Sequence, residues 1–113
     1  VVWAGNFVDQ GWFKTQKEVN EKRWVFEGDL AEKSFLYVAE QAPNVDVYII
    51  NGMCNFKTGN NEQPQRPVHL EVKLETLLGK PIVGHDTALY WSIMKYLDIA
   101  PITKQGQLLE SLK

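Results

Sequence analysis

From Val68 to Glu75 the chain alternates: Val68, Leu70, Val72 and Leu74 are apolar, and His69, Glu71, Lys73 and Glu75 are polar. Successive side chains of an extended strand point to opposite faces, so this period of two predicts a strand with one buried face and one polar face. No other segment restricts the fold as strongly. A strand of this kind belongs to a half-covered sheet. Its polar face, His69-Glu71-Lys73-Glu75, reads either as a solvated stripe with charges paired across strands or as a catalytic or ligand-binding stripe.

The flanking sequence supplies the other elements. Val1 to Val8 is rich in strand formers and is followed by a turn signal, Asp9-Gln10-Gly11. Thr15 with Glu18 three residues later is a capping box and predicts a short helix through Lys22. Trp24-Val25-Phe26 is a short strand candidate. Ala31, Phe35, Val38 and Ala42 recur at helical spacing behind Asp29, which predicts a helix from Leu30 to Gln41 stopped by Pro43-Asn44. Val45 to Ile50 reads as a strand. Gly59 to Pro67 reads as a long connection, rich in turn formers and without a large apolar residue. Gly79-Lys80-Pro81 turns the chain, and Ile82-Val83 is extended. Asp86 is a helix cap ahead of Leu89, Ile93 and Leu97, which lie four apart; Pro101 ends that helix. The tail from Thr103 to Lys113 predicts a weaker helix through Leu108, Leu109 and Leu112, with Gly106 costing about 1 kcal/mol relative to alanine.

Strands and helices therefore mix without strict alternation. That order predicts an α+β fold, a small mixed or antiparallel sheet with helices packed on one face. The 113 residues suit one domain spanning 1–113, because neither side of the 59–67 connection carries enough apolar sequence to fold alone.

Composition narrows the function classes. The formal net charge is −2 and the only arginines are Arg23 and Arg66, which argues against an electrostatically driven nucleic-acid binder. No apolar run is long enough to span a membrane. Cys54 has no second cysteine to pair with, and its apolar neighbourhood suggests a small buried residue rather than a nucleophile. A single cysteine fits the cytoplasm, which is the expected location. The first residue is Val1 rather than Met, so a removed signal peptide stays open.

One constellation carries chemistry. Glu71-Val72-Lys73 resembles the E-x-K half-motif of the PD-(D/E)xK nuclease superfamily, with Asp46 on the preceding strand as its aspartate and a helix bearing Glu32 and Glu40 ahead of it. The resemblance implies a divalent cation such as Mg²⁺ held by Asp46 and Glu71, with Lys73 positioning the attacking water. Ile82-Val83-Gly84-His85-Asp86 is similar to the second motif of the DEDD exonucleases, but Tyr90 stands where that family needs an acid, so no role is carried over. His85 stands at a predicted helix start, where it suits a donor or acceptor role or simply lines the turn. No glycine framework for phosphate is present, and Ser34, Ser92 and Ser111 have no histidine near them in sequence.

Aromatic residues crowd the first quarter of the chain and the late helix. Most are expected in the core, and the remainder suit a pocket or an interface. The leading expectation is a non-catalytic binding or protein-interaction module, with Trp12, His69, His85 and Trp91 meeting a small ligand or a second copy in a homodimer. That reading needs no cofactor. The metal-dependent nuclease is the alternative.

Overall fold

A computed structural model describes residues 1–24, 26–27, 29–52, 56–58, 63–65, 67–102 and 104–112, the side chains of 58, 63–65 and 67 apart. In chain order the elements are α1 (Gln16–Lys22), α2 (Leu30–Gln41), β1 (Tyr48–Ile50), β2 (Phe56–Thr58), β3 (Gln63–Gln65), α3 (Pro67–Leu78), β4 (Ile82–Gly84), α4 (His85–Leu97) and α5 (Gln107–Glu110). The fold is α+β, as the order of elements predicts. Two compact units divide the chain. One comprises Val1–Val45 and Cys54–Gln65, the other Asp46–Met53 and Arg66–Lys113.

The alternating segment is not a strand. Val68 to Glu75 lies within α3. The misreading has a physical cause. A two-residue alternation contains the four-residue repeat of a helix, so Leu70 and Leu74 share one side of α3, and Glu71 and Glu75 lie next to them. All four are buried, whereas His69, Val72, Lys73, Thr76 and Leu77 are exposed. Half of the inward face is carboxylate, so hydrophobicity alone does not reveal the helical period. Two local signals favour the helix: Pro67 suits a first turn, and Leu, Glu and Lys are good helix formers while Glu and Lys are poor strand residues.

In the first unit, the N-terminal segment forms no strand. Its turn is present, with Gln10 N–H donating to Asn6 O at 3.1 Å and Gly11 N–H to Val8 O at 2.9 Å. Thr15 caps α1 by accepting from Glu18 N–H at 3.2 Å. Helix α2 has the predicted bounds, but Asp29 does not cap it; the carboxylate pairs with Lys33 at 2.5 Å instead. The strand expected at 24–26 is reduced to an isolated bridge between Phe26 and Phe56, and Val25 lies outside the described residues. Part of the expected 59–67 loop is structured: β3 pairs antiparallel with β2, and Pro67 opens α3. Cys54 lies outside the described residues.

Aromatic packing makes the core of this unit. The Phe26 ring stands 5.1 Å from Phe7, 5.7 Å from Phe13 and 5.7 Å from Phe56. Phe26 and Phe56 are fully buried together with Leu30, Ala31 and Phe35. Of the early aromatics expected mostly in the core, Phe26 is buried and Phe7 and Phe13 are half-buried against it. Trp12 and Trp24 are exposed instead.

In the second unit, β1 and β4 run parallel, Tyr48 opposite Ile82 and Ile50 opposite Gly84. The strand expected from Val45 begins only at Tyr48. Helix α3 packs on β4, and α4 packs on α3, β4 and α5. Gly79, at φ 64°, ends α3 with its N–H on Glu75 O at 2.8 Å, the left-handed exit that glycine favours. Tyr48, Leu70, Leu74, Ile82 and Leu109 are its buried apolar residues. Gly106 does not interrupt the last helix but precedes it, at φ 94°.

Candidate functional site

The second unit buries ionisable groups where a small core is usually apolar. Glu71, Glu75 and Asp86 are all buried, with Thr87 beside them. Each glutamate has a structural partner at the start of another element. Glu71 Oε1 accepts from the Gly84 N–H at 2.9 Å and from the Thr87 hydroxyl. Glu75 Oε1 accepts from the Ile82 N–H at 3.2 Å, and its two carboxylate oxygens share the Gln107 N–H at 3.2 and 3.1 Å. Helix N-termini leave backbone N–H groups without intrahelical partners, and Gly84 and Gly106, the residues ahead of α4 and α5, have no side chains to satisfy them. Glutamates one turn apart on α3 do this work from a distance.

The cradle is narrow. A Cβ on Gly106 would lie 3.6 Å from Glu71 Oε2 and 3.7 Å from Glu75 Oε2, so both carboxylates converge on that glycine. Glu71 Oε2 is buried without a hydrogen-bond partner. Burial pushes the Glu71 carboxyl up to about 7; the bonds from Thr87 and Gly84 oppose that rise, and the charges of Glu75 and Asp86 add to it. Asp86, expected to cap α4, is instead its second residue and points into this buried region.

The nuclease constellation does not assemble on this framework. On a helix, residues two apart are separated by about 200°. Glu71 is sealed inside and Lys73 is exposed, so the E-x-K pair shares no face and is not on a strand. Asp46 is exposed ahead of β1. Among the described residues, no three His, Cys, Asp or Glu side chains are grouped to hold a metal ion. A hard cation needs several oxygens open to it, and these residues do not fit the Mg²⁺ that the resemblance implies.

The four residues expected at a binding site are divided between the two units. Trp12 belongs to the first unit and donates its indole N–H to Gln10 Oε1 at 2.7 Å. The other three belong to the second. His69 is exposed on α3, and His85 is the exposed first residue of α4. Trp91 is half-buried; its indole N–H donates to Ser111 Oγ at 3.1 Å, and Lys95 Nζ sits 4.5 Å over its ring. These contacts give Trp91 a role in joining α4 to the residue after α5.

No known protein-family model matches this chain, and no curated protein matches it in sequence. Its surface therefore has to carry the functional argument.

That surface is dominated by α4. At 100° per residue, Leu89, Tyr90, Ile93, Tyr96 and Leu97 fall on one arc of about 120°. All five are exposed, Tyr96 at 88%, and Ile99 and Ile102, which follow the helix, are exposed as well. The opposite side of α4 carries Thr87, Trp91 and Met94 against its own unit. Five large apolar residues thus point away from the unit, while Trp91 and Met94 are half-buried and Thr87 is buried on the other side. The sequence holds the signal, since Leu89, Ile93 and Leu97 recur every four residues. Periodicity shows that such a stripe exists but not what covers it.

Proposed function

We propose that this chain is a non-catalytic protein-interaction module that self-associates through the outward face of α4. The observation that carries the reading is the run of seven exposed large apolar side chains from Leu89 to Ile102. Tyr96 is 88% and Ile102 79% exposed, and grouped apolar exposure of this kind marks interaction sites rather than the scattered single residues of an ordinary surface.

A second copy suits this face. The one charged residue at this angle on α4, Asp86 in its first turn, is buried, so two copies meet about a twofold axis without like-charge opposition from exposed groups of the arc. Tyr90 and Tyr96 supply the large amphipathic rings that interfaces favour. The aromatic contribution expected from Trp91 passes to these two tyrosines, because Trp91 is engaged with Ser111 and Lys95.

Ile93→Asp tests the reading. Ile93 is 46% exposed, so the replacement is expected to leave the melting temperature nearly unchanged while placing a charge at the centre of the patch. Sedimentation equilibrium is expected to show a concentration-dependent dimer for the wild type and a monomer for the variant. A wild type that stays monomeric at every accessible concentration removes the proposal.

A further inference from the structure

We propose that the second unit contains an ionisable latch, in which the protonation state of the Glu71 carboxyl sets how firmly the start of α4 is held against α3 and β4. The geometry is specific. Glu71 is completely buried, and one oxygen binds Gly84 N–H and the Thr87 hydroxyl at the α4 N-terminus. The other oxygen is buried without a partner and lies against Gly106, beside the Glu75 carboxylate. Among the described residues the charges acting on it are negative: Glu75 from α3 itself and Asp86 from the first turn of α4. Strand β4, Ile82-Val83-Gly84, has no ionisable side chain; α5 presents the backbone N–H of Gln107 to Glu75, and its one ionisable side chain, Glu110, accepts from the Lys104 N–H.

The two protonation states make different demands on this site. A neutral carboxyl keeps an acceptor oxygen for Gly84 and Thr87 and places no second charge beside Glu75 and Asp86. An ionised carboxylate strengthens the two bonds it accepts, but it buries a charge among like charges with one oxygen unsolvated. Opening the α3–α4 contact to water relieves that cost, so ionisation favours a looser α4 attachment. The latch does not depend on the self-association reading, because Glu71, Glu75, Asp86 and Thr87 are all buried and none belongs to the exposed apolar group.

The sign of the pH effect follows from linkage. Glu71 titrates near 4.5 ordinarily and at about 7 in the folded chain, so between those values the folded state holds a proton that the unfolded state has lost. The contribution to stability is fully present below 4.5, falls as pH rises, and is gone above about 7. At full effect the folding equilibrium constant changes by about 300-fold through this group.

Three measurements on the full chain test the latch. The Glu71 carboxyl, followed by carbon NMR in the wild type, is expected to titrate near neutrality; a midpoint at the ordinary carboxylate value overturns the proposal. Denaturation midpoints are expected to fall between about pH 5 and about pH 8, with that fall largely abolished in Glu71→Gln. An unchanged pH profile in a folded variant also overturns it, and if the variant does not fold, the wild-type titration decides alone. Amide-exchange protection, corrected for intrinsic rates, is expected to drop with rising pH in α4 but not in α2. Equal losses in both helices count against an effect localised to α4.

Discussion

Replacing Phe26 with alanine is expected to destabilise the first unit by about 3–5 kcal/mol. Phe26 is 2% exposed, and its ring contacts those of Phe7, Phe13 and Phe56, so truncation removes the hub of the cluster rather than one of its edges. The secondary structure nearby offers little compensation. Beyond the two helices, the unit has a three-residue hairpin strand on each side and the isolated Phe26–Phe56 bridge. Phe7→Ala and Phe13→Ala are expected to cost less, because both rings are only half-buried. Chemical denaturation of the three variants gives the ranking; Phe26→Ala costing no more than the other two contradicts the central position assigned to it.

Gly84→Ala is expected to destabilise the second unit by about 2–3 kcal/mol, although the Gly84 backbone, at φ −87°, is open to any residue. The obstacle is space. A Cβ there would collide with Glu71 Oε1, and that oxygen is held by Gly84 N–H and Thr87. A flexible side chain at the surface would swing aside cheaply. Glu71 is enclosed, and moving it gives up bonds at the α4 N-terminus. The double variant Glu71→Ala/Gly84→Ala discriminates between causes: the second substitution should cost much less once Glu71 is already truncated. Additive losses in denaturation would instead indicate that Gly84 matters for β4 pairing alone.

The α+β class and the bounds of α2 were legible because local signals agree there, with apolar residues at helical spacing behind Asp29 and ahead of Pro43. α1 rested on a thinner signal, the Thr15–Glu18 capping box ahead of a polar segment in which only Val19 is apolar. The 68–75 segment misled because its buried face is shared between leucine and glutamate. Polarity there reports hydrogen bonding to Gly84, Ile82 and Gln107, contacts made by residues remote in sequence. The same remoteness hid the carboxylate cluster: nothing local marks Glu71 as buried and Lys73 as exposed. Gly106 was misplaced because a glycine next to leucines reads as a weakened helix, whereas its φ of 94° and the carboxylates beside it account for its position at the helix entry. The α4 stripe was visible, but a sequence does not distinguish a helix that faces its own core from one that faces outward.

The order in which the chain supplies the two units bears on synthesis. Residues 46–53 belong to the second unit, yet 54–65 return to the first before the second resumes at 66. On a ribosome, α1 and α2 emerge before Phe56, so the first aromatic cluster lacks a member until β1 is already outside the tunnel. β1 then waits as an unpaired strand until β4 emerges, because its parallel partner lies beyond α3. A chain released between Gln65 and Ile82 would carry the residues of the first unit and an exposed strand edge, the kind of intermediate that chaperones bind. A single cut in the coding sequence therefore cannot yield both units whole: one after Gln65 keeps the first and deprives the second of β1.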